Sequence, residues 1–456
     1  MRKSTVALVL VIALLISSNY SCKNMSSDSG SYNKISKPAS DYSSKMALSW
    51  LDLLCTQVKK QRMSPLAAAR SFGYYGVTMW QSIYAGVPGG KSLIGQLKDL
   101  KTLPTPDPNM IYDWPTVMNN ALSIVCDEGV ARYISANDKS FNDLRDKNNH
   151  ALDSMLNNKD IFERSQKLGA DLGNAMIDYM KGDSYDYTRE NNIYESPSRA
   201  NHNDYWEPTE AYGTAVEPFW GTLRPLGIDT SELCLMKPSM PYSSDMNSEF
   251  CKDCMDVYGV DTSFTEDQRI IALYWSDDAI ETYTPPGHWQ QIAKQQIRRN
   301  NYNLAKTAEL ECYLGMAQYN ASIAVWKLKY KYNYLRPETY VHEVLNKPDW
   351  RPYIETPSFP EYPSGHSGFS GSSSEVLTKY FGNDVVFTDS TDMMLGLLPR
   401  KFSSFKAAAN EAAMSRHYGG IHFTAGIKDG VVVGSCIADN LLKKVKLVDE
   451  PATAKK

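Results

Sequence analysis

The sequence predicts an all-α fold, and three observations lead to this prediction. Apolar residues recur at steps of three and four over long segments, no segment keeps the strict alternation of a half-buried strand, and Pro, Asn, Tyr and Trp are concentrated in the connections. The chain has 456 residues, 42% of them hydrophobic, so it can bury a sizeable core. Its net charge of -4 and the lack of a basic run exclude a nucleic-acid footprint.

Residues 1–21 have the pattern of an export signal, in which basic residues precede an apolar segment over residues 6–16 that is too short to span a bilayer. We expect cleavage before Cys22 and acylation of its amine and thiol, as in a lipoprotein on a bacterial membrane, at the periplasmic side or the cell surface. Simple secretion with an incidental Cys22 is the alternative. Residues 22–46 are polar and predict a flexible tether, so that only the lipid anchor contacts a membrane.

The region 47–279 is expected to be an N-terminal helical region. Ser64 followed by Pro65 has the pattern of a capping residue and a proline at the first helical position, which predicts a buried helix over Leu66–Tyr84. The remaining segments expected here are helices over residues 117–135, 160–181 and 266–280 and loops over residues 183–226.

Residues 303–334 are expected to form one long core helix, because apolar residues step along it by three and four. Lys329 and Arg336 are seven residues apart, which places them two turns apart on one helix face, and Pro337 stops the helix at about Arg336. Both cations can then reach one anion. Taken alone, the pair also fits a solvated basic helix end.

The segment Pro363-Ser364-Gly365-His366 precedes another helical pattern and predicts a helix N-terminus. Its unpaired backbone N–H groups and positive dipole end favour an anion. Gly365 lets an oxyanion approach the backbone, Ser364 supplies a hydroxyl donor, and His366 lies beside the bound anion. An ordinary Ser-capped helix with a surface histidine is the alternative.

A third segment reads Ser415-Arg416, then Gly419-Gly420, then His422. An amphipathic helix ends at Arg416, the glycine pair turns the chain before His422, and a further apolar helix follows up to about residue 446. A lone histidine after a glycine pair is more often structural than catalytic. Residues 447–456 are expected to be a polar, frayed tail.

Seven cysteines follow Cys22, an odd number in an exported chain, so we expect at least one free thiol. The pair Cys251 and Cys254 is a weak zinc signal and a possible local disulfide. Cys312 and Cys436 stand in apolar helical stretches and are expected to be packing residues.

The three segments together resemble the signature shared by type 2 phosphatidic acid phosphatases and vanadium-dependent haloperoxidases. The resemblance covers about residues 280–446 and implies an oxyanion-binding helical core of the haloperoxidase/acid phosphatase type. It implies that three cations, Lys329, Arg336 and Arg416, neutralise the oxygens of vanadate or phosphate. It also implies that Ser364 and Gly365 donate hydrogen bonds to the same anion.

The two histidines are also assigned by the resemblance. His422 matches the residue that ligates vanadium or attacks phosphorus, and His366 matches the residue that performs acid–base catalysis. The signature usually continues from its last histidine to an Asp that orients the imidazole, and Gly426 stands at that position here. Asp429 or a backbone carbonyl is expected to replace it.

The haloperoxidase branch is favoured because Trp326 and Phe359 resemble the aromatic walls of a halide site; core packing is their alternative role. The segments 356–362 and 285–289 also look like bacterial haloperoxidase-related proteins. The implied enzyme binds vanadate and uses hydrogen peroxide to oxidise halide. Two alternatives stay open: a soluble acid phosphatase that hydrolyses a phosphate ester without a cofactor, and a non-catalytic oxyanion-binding envelope lipoprotein.

Overall fold

The computed structural model describes residues 36–190, 193–209, 213–279 and 281–449. Fourteen α-helices of this part, α1 to α14 in chain order, span Lys45–Lys60, Pro65–Ile83, Trp114–Val130, Ser140–Leu156, Lys159–Lys181, Tyr185–Glu190, Glu249–Ser263, Glu266–Tyr274, Thr284–Arg299, Leu304–Tyr332, Pro337–Glu343, Gly365–Phe381, Phe405–Tyr418 and Thr424–Lys444. Strands β1 (Phe387–Asp389) and β2 (Arg400–Phe402) form an antiparallel hairpin. The predicted all-α class is confirmed. Over the described ranges, no helix is both long enough and apolar enough to cross a bilayer.

Several predicted helices are present with small differences at their ends. Helix α2 begins as expected, because the Oγ atom of Ser64 accepts a hydrogen bond from the N–H of Ala67 at 3.2 Å and Pro65 is the first helical residue. Helix α8 ends at Tyr274, six residues before the predicted end at 280. The chain leaves the helical conformation there, and Asp277 adopts a positive φ of 51°. The segment 183–226 contains the short helix α6.

Helix α10 is the centre of the molecule. It packs against α2 from the N-terminal part of the chain and against α12 and α14 from the C-terminal part. Every residue from 310 to 326 is buried, so α10 is covered on all faces and not along a single stripe. Helices α3 and α5 extend the packing beyond α2, and α13 covers α12.

The end of α10 differs from the prediction in a way that bears on the site. Asn333 takes the left-handed conformation with φ 48° and stops the helix after Tyr332. Arg336 is extended, because the following Pro337 disfavours a helical conformation, and it is the N-cap of α11. The expectation that Lys329 and Arg336 share one helix face was therefore wrong.

Helices α12 and α14 approach each other backbone to backbone. A Cβ atom at Gly434 of α14 would lie 2.2 Å from the carbonyl oxygen of Gly368, and one at Gly371 of α12 would lie 2.5 Å from that of Val431. A larger residue at these positions would separate the helices. This contact holds the N-terminus of α12 beside the turn between α13 and α14.

The two ends of the described part are packed onto the body. Ala39 is fully buried and Tyr42 donates a hydrogen bond to Asp113 at 2.9 Å, although both residues fall within the expected tether. Leu447 is also buried, where a frayed end was expected. The expected signal at residues 1–21 and the lipidation site at Cys22 lie outside the described residues.

One disulfide joins distant segments. Cys234, in the connection between α6 and α7, is bonded to Cys436 of α14 across a sequence separation of 202 residues. The expectation that Cys436 only packs was wrong, because its partner is too distant for a local pattern to reveal. The local disulfide is not formed, and the free cysteines of the described part are all buried: Cys55, Cys126, Cys251, Cys254 and Cys312.

Candidate functional site

A cavity of about 280 Å³ lies where α10, the segment before α12 and the turn between α13 and α14 meet. Of the nine residues singled out for the pocket, six line this cavity: Trp326, Phe359, Gly365, His366, Arg416 and His422. The other three are fully buried next to them: Lys329, Arg336 and Ser364. The fold thus brings together residues from three segments, the first and last of which are about 90 residues apart in the sequence.

Lys329 lies in the last turn of α10 and is fully buried. Its Nζ atom donates hydrogen bonds to the carbonyl oxygens of Pro360 at 2.8 Å and Glu361 at 2.9 Å. The same atom lies 4.9 Å from the centre of the Phe359 ring. Burial, followed by the nearby charge of Arg336, holds the pKa of Lys329 well below its usual value. An anion beside it would favour the charged form.

Arg336 lies at the start of α11 and turns its guanidinium toward the cavity wall. Its Nε atom donates to the carbonyl oxygen of Phe359 and its Nη1 atom to that of Ile421, both at 2.9 Å. Nη1 also lies 3.1 Å from the Nε2 atom of His422. The Nη2 atom is buried and has no partner. Burial lowers the pKa of Arg336 to about 10.

Arg416 ends α13 and supplies the third cation. It donates from Nε to the hydroxyl of Ser415 at 3.0 Å and from Nη2 to the carbonyl oxygen of Ala272 at 3.1 Å. Burial lowers its pKa to about 10. Among the described residues, no carboxylate oxygen lies within 4.0 Å of the charged nitrogens of these three cations. The cavity therefore has buried positive charge that the chain leaves without an ion pair.

The N-terminus of α12 points backbone donors at the same place. Ser364 caps the helix, since its Oγ atom accepts a hydrogen bond from the N–H of Ser367 at 3.3 Å. That contact leaves the hydroxyl proton of Ser364 free to donate. Gly365 is the first helical residue, and its backbone N–H has no acceptor within the helix. A Cβ atom at Gly365 would lie 3.3 Å from the Trp326 ring.

His366 lies on the cavity wall at the start of α12. Its Nε2 atom is 3.2 Å from the carbonyl oxygen of Ser276, so the proton is placed on Nε2 and Nδ1 is left as an acceptor. Burial, followed by the charge of Arg416, lowers the pKa of His366 well below its usual value. The imidazole is therefore neutral and able to take up a proton at Nδ1 when an anion is nearby.

His422 is held by a residue that the sequence analysis did not single out. Its Nδ1 atom lies 2.7 Å from the Oε1 atom of Glu361, and both side chains are buried. Burial and then the nearby cations lower the pKa of His422, which keeps it neutral with its proton on Nδ1. The lone pair on Nε2 faces the Nη1 atom of Arg336, and a ligand bound to Nε2 would replace that contact. Burial raises the pKa of Glu361 to about 7, and the cations oppose this rise.

The expectation that Asp429 or a backbone carbonyl orients His422 was wrong. Asp429 instead accepts a hydrogen bond from the backbone N–H of Ser239 at 2.8 Å. Glu361 reaches His422 because Gly426 leaves space for it, and a Cβ atom at 426 would lie 2.3 Å from its Oε1 atom. The available signal was a lone acidic residue within an apolar, aromatic segment shortly before Ser364.

The side of the cavity near α10 is aromatic. The Trp326 and Phe359 rings are in contact, with their centres 5.0 Å apart. The indole N–H of Trp326 donates to the carbonyl oxygen of Val216 at 3.2 Å, so this ring is fixed in place. Both rings are at once packing residues and part of the cavity wall.

The charge, the unpartnered donor and the shape of the pocket fit an oxyanion such as vanadate or phosphate. Three cations surround it, the unpartnered Nη2 atom of Arg336 needs an acceptor, and a helix N-terminus adds backbone donors. His422 presents an oriented nitrogen lone pair at the same cavity. These groups can bind an oxyanion without any change of fold.

Comparisons with known proteins agree with this geometry. A family model described as the VCPO second helical-bundle domain matches residues 309–450. The vanadium chloroperoxidase of Curvularia inaequalis is 28% identical over 143 residues, which are 26% of this chain and 23% of that protein. The chain thus matches only about a quarter of the length of this curated relative.

Two solved structures extend the comparison to most of the chain. A structure described as the first bacterial vanadium-dependent iodoperoxidase is 31% identical and has a TM-score of 0.81; the match covers 90% of this chain and 99% of that one. A holo-type bacterial vanadium-dependent chloroperoxidase is 14% identical, with a TM-score of 0.61 over 84% of this chain and 92% of that one, a likeness of fold alone.

Proposed function

Because the chain belongs to the vanadium-dependent haloperoxidase family, we propose that it binds vanadate in the cavity and uses hydrogen peroxide to oxidise a halide. The observation that carries this proposal is the buried cluster of three cations without a carboxylate partner beside the oriented imidazole of His422. When bound, vanadate supplies a Lewis-acidic centre that activates peroxide. The protein supplies the charge, the ligand atom and the proton transfer.

The cations have an electrostatic role in this proposal. Lys329, Arg336 and Arg416 neutralise the oxygens of the anion, and they are already desolvated and held by carbonyl groups, so that little reorganisation is needed on binding. Ser364 and Gly365 add a hydroxyl and a backbone donor. Removing one cation leaves the rest in place and is expected to weaken anion binding more than folding.

The two histidines have different tasks. His422 offers the Nε2 lone pair as the ligand atom, because Glu361 keeps the proton on Nδ1. His366 holds its Nε2 proton against the carbonyl oxygen of Ser276, so proton exchange with the anion or with peroxide uses Nδ1. The aromatic pair Trp326 and Phe359 forms an apolar wall on which a polarisable halide can lie. Iodide is the first halide to test.

The test is to load the purified protein with orthovanadate and to measure peroxide-dependent oxidation of iodide, bromide and chloride. We expect activity that needs vanadate, peroxide and halide together. His422→Ala should abolish this activity in a protein that still folds. His366→Ala should slow turnover and keep most of the vanadate affinity. A fully active His422→Ala protein would disprove the site assignment.

Phosphate-ester hydrolysis is the second candidate, and the contact between Glu361 and His422 is the observation that favours it. A nucleophilic imidazole needs the same acceptor at Nδ1 that a ligating imidazole needs. Hydrolysis of p-nitrophenyl phosphate by protein free of vanadate, together with no halide oxidation at any vanadate loading, would favour this candidate. The contact between Glu361 and His422 also weakens the non-catalytic alternative, because Glu361 supplies the carboxylate that position 426 lacks.

A further inference from the structure

A second group of buried titratable residues lies beside the cavity and has no part in the function proposed above. His288 of α9 is surrounded by three carboxylates. Its Nδ1 atom lies 2.8 Å from the Oδ1 atom of Asp277 and 3.6 Å from the Oδ2 atom of Asp392, and its Nε2 atom lies 2.7 Å from the Oδ2 atom of Asp389. All four side chains are at most 3% exposed.

The charge of this cluster is unbalanced. One imidazole faces three carboxylates, and within the described ranges no lysine or arginine nitrogen lies within 4.0 Å of any of them. Two carboxylates lie on the side of Nδ1, where an imidazole can donate only one proton. The Oδ2 atom of Asp392 is buried, points at Nδ1 and has no hydrogen-bond partner. A buried oxygen in this state needs a cation or a proton.

We propose that Asp277, His288 and Asp392 bind one divalent transition-metal ion, with zinc as the first candidate. Each residue offers one ligand atom, and these atoms all lie within 4.8 Å of one another. Ligands of a tetrahedral zinc ion are about 3.3 to 3.6 Å apart, given bonds of about 2.0 to 2.2 Å. The 3.6 Å separation between Nδ1 of His288 and Oδ2 of Asp392 falls in this range, and the 2.8 Å contact with Asp277 would lengthen when an ion replaced the shared proton. One imidazole and two carboxylates are a donor set that zinc accepts.

Asp389 has the position of a residue that supports a metal ligand. Its Oδ2 atom lies 2.7 Å from Nε2 of His288, so with a metal ion in place of the Nδ1 proton Asp389 would accept the Nε2–H. Asp389 is itself held by the hydroxyls of Tyr274 at 2.8 Å and Thr391 at 2.6 Å. A metal-bound histidine typically donates its second ring N–H to a carboxylate in this way. The indole of Trp275 stacks on the His288 ring, with the centres 4.5 Å apart, and fixes its plane.

The cluster has a route to solvent and is distinct from the oxyanion pocket. Asp277 lines the 280 Å³ cavity, so an ion can reach the cluster through it. The two sites nevertheless select opposite charges, because the pocket presents lysine and arginine and the cluster presents aspartate. The neighbour of Asp277, Ser276, accepts the hydrogen bond from His366. An ion at Asp277 would therefore fix the segment that positions His366.

The first experiment uses the purified wild-type protein, stripped with a chelator and titrated with ZnCl₂ in an isothermal calorimeter. We expect one zinc ion per chain and a higher thermal unfolding temperature when zinc is present. X-ray diffraction from crystals of the zinc-loaded protein, measured at the zinc absorption edge, should give an anomalous peak bonded to Nδ1 of His288. No binding, or a peak elsewhere, would overturn the proposal whatever the variants do.

Two variants and a control locate the site in solution. Asp392→Asn removes one ligand and nearly preserves the volume, so zinc binding should be lost while vanadate binding is kept. Asp389→Asn weakens the support of His288 and should lower zinc affinity about 10- to 100-fold. His422→Ala, in the oxyanion pocket, should bind zinc as the wild type does. Equal zinc affinity in the wild type and Asp392→Asn would contradict the assignment.

Discussion

Glu361 makes, from a different segment of the chain, the contact that the family signature assigns to an Asp four residues after the histidine. Its Oε1 atom accepts from Nδ1 of His422 and also lies 3.3 Å from the backbone N–H of Phe423. The contact needs a glycine at position 426, because any side chain there would meet the carboxylate. The pair of residues, and not either alone, sets the tautomer of His422.

Glu361→Gln should lower halide oxidation about 10- to 100-fold, because a neutral amide stabilises the Nδ1–H tautomer less well than a carboxylate. The measurement is turnover of vanadate-loaded protein, with vanadate affinity measured beside it. Asp429→Asn is the matched control and should stay within a few-fold of the wild type, since Asp429 contacts Ser239 and not His422. Equal losses in both variants would refute the assignment of Glu361.

A swap of the two positions sharpens this test. Gly426→Asp alone should lower activity, because its side chain would collide with Glu361. Gly426→Asp combined with Glu361→Ala restores the usual arrangement of the family and should recover part of the lost turnover. A double variant less active than Gly426→Asp would show that Glu361 has a task besides orienting His422.

Glu311 gives a pH dependence of stability that does not involve the site. It is buried in α10, both of its carboxylate oxygens lack partners, and burial raises its pKa to about 8. The folded protein therefore keeps this group protonated over pH 5 to 7, where the unfolded chain has lost the proton. The stabilisation from protonated Glu311 is fully present below the pKa that this residue has in the unfolded chain. It is lost as the pH rises toward 8.

We expect the free energy of unfolding of the wild type to fall with pH over this window by up to about 1.4 kcal/mol per unit more than that of Glu311→Gln. Urea titrations at pH 5, 6, 7 and 8 would measure both slopes. Parallel slopes for the two proteins would show that Glu311 is ionised in the folded state.

At the scale of elements, the position of the pocket depends on the contact between α12 and α14. Gly434→Ala places a methyl group 2.2 Å from the carbonyl oxygen of Gly368 and should destabilise the protein by about 1 to 3 kcal/mol. Because the N-terminus of α12 moves with this contact, vanadate affinity should fall as well. Val432→Ala, on an exposed position of the same helix, should change stability by less than about 0.5 kcal/mol. Thermal unfolding and vanadate titration would measure both effects.

Many of the helices could be predicted from local patterns, although α1, α4, α7 and α9 were not singled out, whereas the precise site could not be predicted. The Ser64-Pro65 start of α2 and the apolar steps of α10 are local signals that the structure confirms. The end of α10 was missed because Asn333 can continue or stop a helix, and packing decides which. Glu361 was missed because its partner is 61 residues away and only the tertiary fold brings the two together.

At the scale of the whole molecule, the disulfide between Cys234 and Cys436 fastens the connection before α7 to the last helix. Closing a loop of this length restricts the unfolded chain, and disulfides typically contribute about 2 to 4 kcal/mol. Reduction with dithiothreitol should lower the thermal unfolding temperature of the wild type. It should have no effect on a variant with Cys234→Ser and Cys436→Ser, because the other described cysteines are free and buried. A wild type that is insensitive to a reductant shown to cleave the bond would contradict this contribution.

We propose that the whole protein is exported and anchored through a lipid on Cys22. The sequence pattern around residues 1–22 supports this proposal. Wild-type protein expressed in a bacterium should sediment with membranes, and Cys22→Ser should appear in the soluble fraction because its single anchor is lost. Equal solubility of the two proteins would favour secretion without an anchor.

The dependence of Glu361 on Gly426 has a consequence for how relatives are recognised. The two positions should co-vary in an alignment, with glutamate at the first accompanying glycine at the second, and aspartate at the second accompanying a small residue at the first. A search that requires aspartate four residues after the histidine would discard chains with an intact pocket. Scoring the two columns jointly would retain them and would separate a lineage that moved its carboxylate from one that lost it.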